Sequence, residues 1–196
     1  PAAFAQAGTD EILRAWGSLG YPRRALRLKE CAQVIVDEHG GEVPEDVDKL
    51  LALPGIGDYT ARAVACFAYG KNVPVVDTNV RRVVARVERG EALGAPGKKE
   101  IEQVAALLPA ENGPEFSVGL MELGALVCTA RAPKCGECPV SDECEWLAAG
   151  KPEAEVKKRS QKFVGTDRQV RGKIMRLLRE SEGPVEQKLI DALWHD

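Results

Sequence analysis

The sequence predicts an all-α protein, and three observations carry that prediction. Apolar residues recur at three- and four-residue spacing along most of the chain, as they do on amphipathic helices. Glycine and proline punctuate these stretches where helices would stop and start. The one strand-like run, Val73 to Val76, is short and contains Pro74, too little for a sheet.

The elements follow in chain order. Thr9 is expected to cap a helix whose first turn holds Asp10 and Glu11, both favourable at the positive end. Ile12, Leu13, Trp16 and Leu19 would share its buried face, and Gly20 would end it. Pro22 suits the opening turn of the next helix, with Leu28, Ala32 and Ile35 on the buried side and Gly40-Gly41 after it. Val47, Leu50 and Leu51 read as a short helix stopping at Pro54. An alanine-rich helix is expected over 58–69, ended by Gly70. Helical patterns return over 78–89, 99–108 and 115–127, where Val80, Val83, Val84 and Val87 read as core. After a cysteine-rich loop and a polar linker over 151–162, amphipathic helices are expected over 168–178 and 185–194. The organisation is thus 1–74, then 75–150 with the cysteine loop, then 151–196 as a basic linker opening a further helical region.

Composition narrows the class. Apolar residues make up 44% of the 196, enough for a packed core and against disorder. No apolar run is long enough to span a bilayer, and no basic-then-apolar leader opens the chain, so a cytoplasmic location is expected. The net charge of −3 conceals an uneven distribution. Residues 1–150 sum to −6, residues 151–179 to +7 and residues 180–196 to −4. A solvated linker and a phosphate-binding segment are both consistent with that basic stretch.

Four of the six cysteines fall close together, as Cys128-x6-Cys135-x2-Cys138-x5-Cys144. Disulfides would need an oxidising compartment. Zinc on four thiolates is reasonable chemistry but usually comes as two separated C-x2-C knuckles. Four thiolates from one compact loop favour an iron–sulfur cluster, with zinc left open. Cys31 and Cys66 lie among apolar neighbours and read as small core residues.

Two further features stand upstream. Leu53-Pro54-Gly55-Ile56-Gly57 between two helices reads either as a plain helical corner or as a hairpin whose glycines admit a close ligand. In the second case the N–H groups that open the next helix would meet a phosphate. Later comes Val76-Asp77-Thr78-Asn79-Val80-Arg81-Arg82. Alone, Asp77 reads as a helix cap; near bound DNA it is also a carboxylate available for chemistry at a sugar. Asn79 could orient it, and Arg81 or Arg82 could meet phosphate.

The hairpin, the aspartate and the cysteine spacing, in this order, resemble the helix–hairpin–helix base-excision DNA glycosylases that carry an iron–sulfur loop. Leu19-Gly20-Tyr21-Pro22-Arg23-Arg24-Ala25, Leu120-Met121-Glu122-Leu123-Gly124-Ala125 and the run from Val127 to Cys135 look like the A/G-specific adenine branch. Phe163 to Gly172 resembles the tail of bacterial, notably actinobacterial, members. The resemblance implies an incomplete six-helix barrel plus a cluster domain, and a 4Fe-4S cluster on Cys128, Cys135, Cys138 and Cys144. It implies a monomer acting on duplex DNA that carries adenine opposite 8-oxoguanine or guanine. Asp77 would be the catalytic carboxylate, supported by Asn79 and Tyr59. Gly55, Gly57, Thr60, Arg81, Arg131 and Lys134 would face DNA. Tyr59 stands where bifunctional relatives place a lysine, so base removal without strand cleavage is expected. The family's general-acid glutamate belongs to a helix preceding the region that matches Pro1, and no such motif occurs in these 196 residues. The chain is therefore expected to be a fragment that releases no adenine alone. An endonuclease III-type enzyme and a non-catalytic DNA-binding module are the competing readings.

Overall fold

The computed structural model describes residues 1–94, 97, 99–153 and 163–195. They are helical throughout with irregular connections, and the described residues include no strand. Most of the polar linker expected over 151–162 lies outside them, as does part of the basic stretch. The chain forms two compact units.

The first unit gathers Pro1–Val43, Leu53–Gly55 and the described residues of Lys158–Asp196. Helices α1 (Ala2–Gln6) and α2 (Thr9–Trp16) pack on α3 (Arg23–His39), burying Ala5, Ile12, Ala25, Cys31, Ala32 and Ile35. The Lys29 ammonium donates to Ala7 O at 2.6 Å and satisfies a carbonyl left open at the end of α1. Four expectations need correction here. Gly8, not Thr9, is the cap residue of α2, and the helix stops at Trp16 because Gly17 turns left-handed at φ +56°. The Trp16 indole then donates to Gly20 O at 2.8 Å, closing a loop that leaves Leu19 69% exposed rather than buried. Leu28 shares the buried stripe of α3 but is 42% exposed, since the two short helices cover that stripe only in part. Later in this unit, α10 (Asp167–Glu180) packs with α11 (Gln187–His195).

The second unit gathers Pro44–Ala52 and the described residues of Ile56–Lys157. Helix α4 (Val47–Ala52) is started by Asp46, whose carboxylate accepts from the Asp48 and Lys49 amides. The alanine-rich helix expected over 58–69 is α5 (Asp58–Ala63) followed by a π-helical turn, Val64–Ala68. That wider turn buries Ala65 and Cys66 completely. Helix α6 (Thr78–Arg89) is the hub. It packs against α8 (Gly113–Glu122), a second π-helical turn at Leu123–Val127, and α9 (Glu145–Ala148). Val80, Val84 and Val104 of α7 (Glu100–Leu107) form its apolar centre. Val87 is half-buried, at the rim. Cys31 and Cys66 are core residues, and burial pushes both thiols above the usual cysteine range.

Gly55 turns left-handed at φ +77°, and a methyl there would sit 2.9 Å from Arg27 Cβ. Gly55→Ala should therefore lower stability by about 1–2 kcal/mol for the backbone conformation alone, with any clash adding to it. Urea denaturation of the two proteins measures the difference.

Candidate active site and cluster loop

The site is built outward from the start of α6. The extended run ending at Val76 leaves Asp77 at the cap position, where its carboxylate accepts from the Val80 amide at 2.7 Å. That bond occupies Oδ1. The second oxygen accepts from Asn79 Nδ2 at 3.0 Å, so both carboxylate oxygens are oriented by α6 itself. The cap and the oriented carboxylate are one arrangement.

The contacts continue inward. Asn79 Oδ1 accepts from Arg82 Nη2 at 2.7 Å, one turn further along the helix. Arg82 is 6% exposed. It donates also to Gly124 O of the second π-helical turn and, through Nε, to Cys128 O at 2.7 Å. Burial pushes its guanidinium down from the usual arginine range. Cys128 and Asp77 oppose that shift by their charge, and Arg86 adds to it. The arginine range lies so far above neutrality that Arg82 stays cationic. Gly124 makes the approach possible: a Cβ there would stand 2.6 Å from Asn79 Cβ and 2.9 Å from Asn79 O.

Arg86, a turn later, is also buried. It donates to Thr129 O at 2.8 Å, to Ala130 O at 3.3 Å and to Cys128 Sγ at 3.3 Å, and its guanidinium lies 4.2 Å from the centre of the Trp146 ring. Cys144 Sγ is 3.7 Å from Arg86 O. Two arginines of α6 thus hold the beginning of the cysteine loop.

The other candidates are placed differently. Tyr59 and Thr60 are exposed at the start of α5, with Gly57 in extended geometry before them. They take no part in the chain of contacts from Asp77. Arg81 points to Glu100 at 2.7 Å, with its side chain only 13% exposed, and donates to Gly94 O. Its charge is committed within the protein, and a phosphate would have to displace Glu100. Arg131 and Lys134 are exposed on the loop. The sequence reading considered Arg82 only for phosphate and passed over Arg86 and the glycine role of Gly124. A signal was present: both arginines recur at helical spacing among the valines of the buried face.

Cys128, Cys135, Cys138 and Cys144 are free thiols that line one pocket, walled by Val83, Val87, Leu123 and Trp146 among others. Among the described residues no three His, Cys, Asp or Glu side chains converge closely enough to hold a single metal ion. Four thiols spread around one apolar chamber fit a group that takes one thiolate at each corner.

Residues 1–110 match the family described as HhH-GPD superfamily base excision DNA repair protein. The chain belongs to that superfamily. Residues 128–144, which contain Cys128, Cys135, Cys138 and Cys144, match the iron–sulfur binding domain of endonuclease III, so the cofactor is a 4Fe-4S cluster and the zinc and disulfide readings fall. Adenine DNA glycosylase of Mycolicibacterium smegmatis is 58% identical over 193 residues, which are 98% of this chain and 66% of that protein. Its Mycobacterium tuberculosis counterpart is 57% identical over 198 residues, 99% of this chain and 65% of the relative. The chain thus spans about two thirds of the length of these relatives. The human adenine DNA glycosylase is 43% identical over 149 residues, 72% of this chain and 27% of that protein. Among solved structures, a thermostable thymine-DNA glycosylase superposes with a TM-score of 0.70 at 34% identity, covering 76% of this chain and 70% of that one. A non-covalent endonuclease III–DNA complex gives 0.67 at 27% identity, covering 78% and 72%. The fold is therefore the all-α helix–hairpin–helix glycosylase fold.

In this superfamily member, Arg82→Leu would strand three acceptors, Asn79 Oδ1, Gly124 O and Cys128 O. Each buried unpaired group costs about 1–3 kcal/mol, so thermal unfolding should shift far more than for Arg81→Leu. Protein purified without oxygen should be brown and contain about four iron atoms per chain. Stoichiometric zinc under iron-replete conditions would contradict the cluster.

Proposed function

We propose that the protein of which these residues form part is a monofunctional adenine DNA glycosylase acting on duplex DNA with adenine opposite 8-oxoguanine or guanine. The observation that carries the reading is the Asp77 carboxylate, held by the Val80 amide and Asn79 at the start of α6. The mycobacterial relatives that match nearly the whole chain bear the name adenine DNA glycosylase, which supports the choice of base. A monomer working on chromosomal DNA in the bacterial cytoplasm accords with this reading.

The target adenine leaves the base stack, a step a mispair makes easier. The bond from adenine to C1′ breaks with its electron pair departing on the base, which a general acid protonates. C1′ becomes cationic, and a preoriented carboxylate lowers the energy of that cation or traps it. Water then adds to C1′ and loses a proton, leaving free adenine and an abasic site. Asp77 is our candidate for the carboxylate. Its orientation by two donors suits the task, since no reorganisation is needed as charge develops. Tyr59 is exposed on α5 and carries no amine, so it cannot form an imine with the sugar. The exposed Gly57, Thr60, Arg131 and Lys134 are candidates for backbone phosphates. When bound, the 4Fe-4S cluster supplies a rigid anchor for the loop that presents Arg131 and Lys134. The 196 residues contain no glutamate in the motif that the resemblance gives to the acid, so we assign that role to none of them.

Single-turnover assays on the full-length protein test the reading. It should release adenine from an A:8-oxoguanine duplex and leave the strand intact until alkali is added. Asp77→Asn should lose at least about 10²-fold in rate. Borohydride should trap no abundant adduct. Efficient trapping through this chain, or release of oxidised pyrimidines in place of adenine, would favour an endonuclease III-type enzyme. Residues 1–196 alone should bind duplex weakly, with affinity falling steeply in salt, and should show no adenine release, since a positioned acid contributes about 10²–10⁴-fold.

A further inference from the structure

Arg86 holds more donors at the cysteine pocket than the protein around it uses. A guanidinium carries five N–H groups. Nη1 reaches Thr129 O at 2.8 Å and Cys128 Sγ at 3.3 Å, and Nη2 reaches Ala130 O at 3.3 Å. The Nε donor is buried and has no hydrogen-bond partner. The residue as a whole is 5% exposed, and one face of its planar head is covered by the Trp146 ring. Arg86, Trp146 and all four cluster cysteines line the same pocket.

A buried cation with an unused donor is costly unless something charged completes it. A loop staple alone would need only the two carbonyls. The contact to the Cys128 sulfur, and a buried Nε left without a partner on a residue that lines the chamber, implicate the chemistry of the chamber instead. Four thiolates on a 4Fe-4S core give it a net negative charge, and its sulfurs accept hydrogen bonds. An N–H donor and a positive charge next to such a group favour the more reduced, more negative form and so raise its potential.

We propose that Arg86 is the built-in counter-ion of the cluster, donating from Nη1 to the Cys128 thiolate, with the unpartnered Nε held in reserve at the same pocket. Trp146 holds the guanidinium in that plane by cation–π contact and excludes water from it. Arg86 thereby sets how readily the cluster is oxidised and how tightly its iron is kept. It is a positioning and tuning residue, remote from base removal. The inference rests on the cluster assignment and not on which base the enzyme removes.

The test uses the full-length holoprotein prepared without oxygen, with Arg86→Met and Arg86→Lys. Methionine keeps much of the stem and removes charge and donors; lysine keeps the charge and loses the planar fork. Three readouts need no DNA: the reduction potential, the Fe–S stretching frequencies in the Raman spectrum, and the rate at which a ferrous chelator removes iron. Arg86→Met should show a lower potential, altered Fe–S frequencies and iron loss faster by about 10–100-fold, as for outer-sphere partners of metal ligands. Arg86→Lys should recover part of the potential but not the slow iron loss. If Arg86→Met fails to load a cluster, Arg86→Lys decides alone, by the same potential and chelation measurements. Unchanged potential, frequencies and iron loss in a loaded variant, even with a lower melting temperature, would reduce Arg86 to a brace for the loop and overturn the proposal.

Discussion

A buried guanidinium is costly unless the donors it turns inward meet acceptors, and Arg82 imposes that condition on the second unit. Its acceptors come from three segments: Asn79 on its own helix, Gly124 on a π-helical turn, and Cys128 at the mouth of the cluster loop. Desolvating such a charge without those partners would cost several kcal/mol, comparable with a large part of a domain's net stability. The three segments are therefore held in register by one side chain. Moving any of them leaves either a cation or a carbonyl unpaired in the interior.

Several otherwise separate features follow from that requirement. Gly124 has no room for a side chain because its carbonyl must come close enough to α6 to accept from Arg82. The wider π-helical turn at Leu123–Val127 ends the helical run at Cys128, the first of the four clustered cysteines. Asn79 spends its oxygen on Arg82 and is left with its amide nitrogen for Asp77, which fixes the direction of that bond. The polar atoms thus run continuously from a carboxylate at the helix start to a cysteine of the cluster loop. Arg86 repeats the theme one turn later, with Trp146 as its cover.

Local signals in the sequence were read well, and distant partners were not. The run 78–89 coincides with α6 because Asp77 and Gly90 bound it, and both act through neighbouring backbone. The end of α2 was misplaced because two glycines close together, Gly17 and Gly20, both turn to positive φ and offer the same stop signal, and the nearer one ends the helix. The π-helical turns were invisible, since one extra residue over a single turn barely alters an apolar pattern. The cysteine spacing narrowed the metal chemistry, and Asn79 was correctly placed beside Asp77. The roles of the arginines were not legible. Arg81 and Arg82 are adjacent and chemically identical, yet one pairs with Glu100 and the other is sunk in the core. What separates them is a set of backbone carbonyls, 42 and 46 residues further along the chain, and carbonyls leave no mark in a sequence.

The carboxylate end and the cluster end of this unit are one mechanical piece, joined through Asn79 and Arg82. Hydrogen exchange at the Val80 amide reports on it most directly, because that N–H is the donor that holds Asp77. Exchange would be followed in the full-length holoprotein and again after anaerobic chelation of the iron. If the chain of contacts through Asn79 and Arg82 transmits the state of the loop, Val80 loses protection together with the amides around Cys128. Loosening confined to residues 128–144, with Val80 exchanging as slowly as before, would contradict the account.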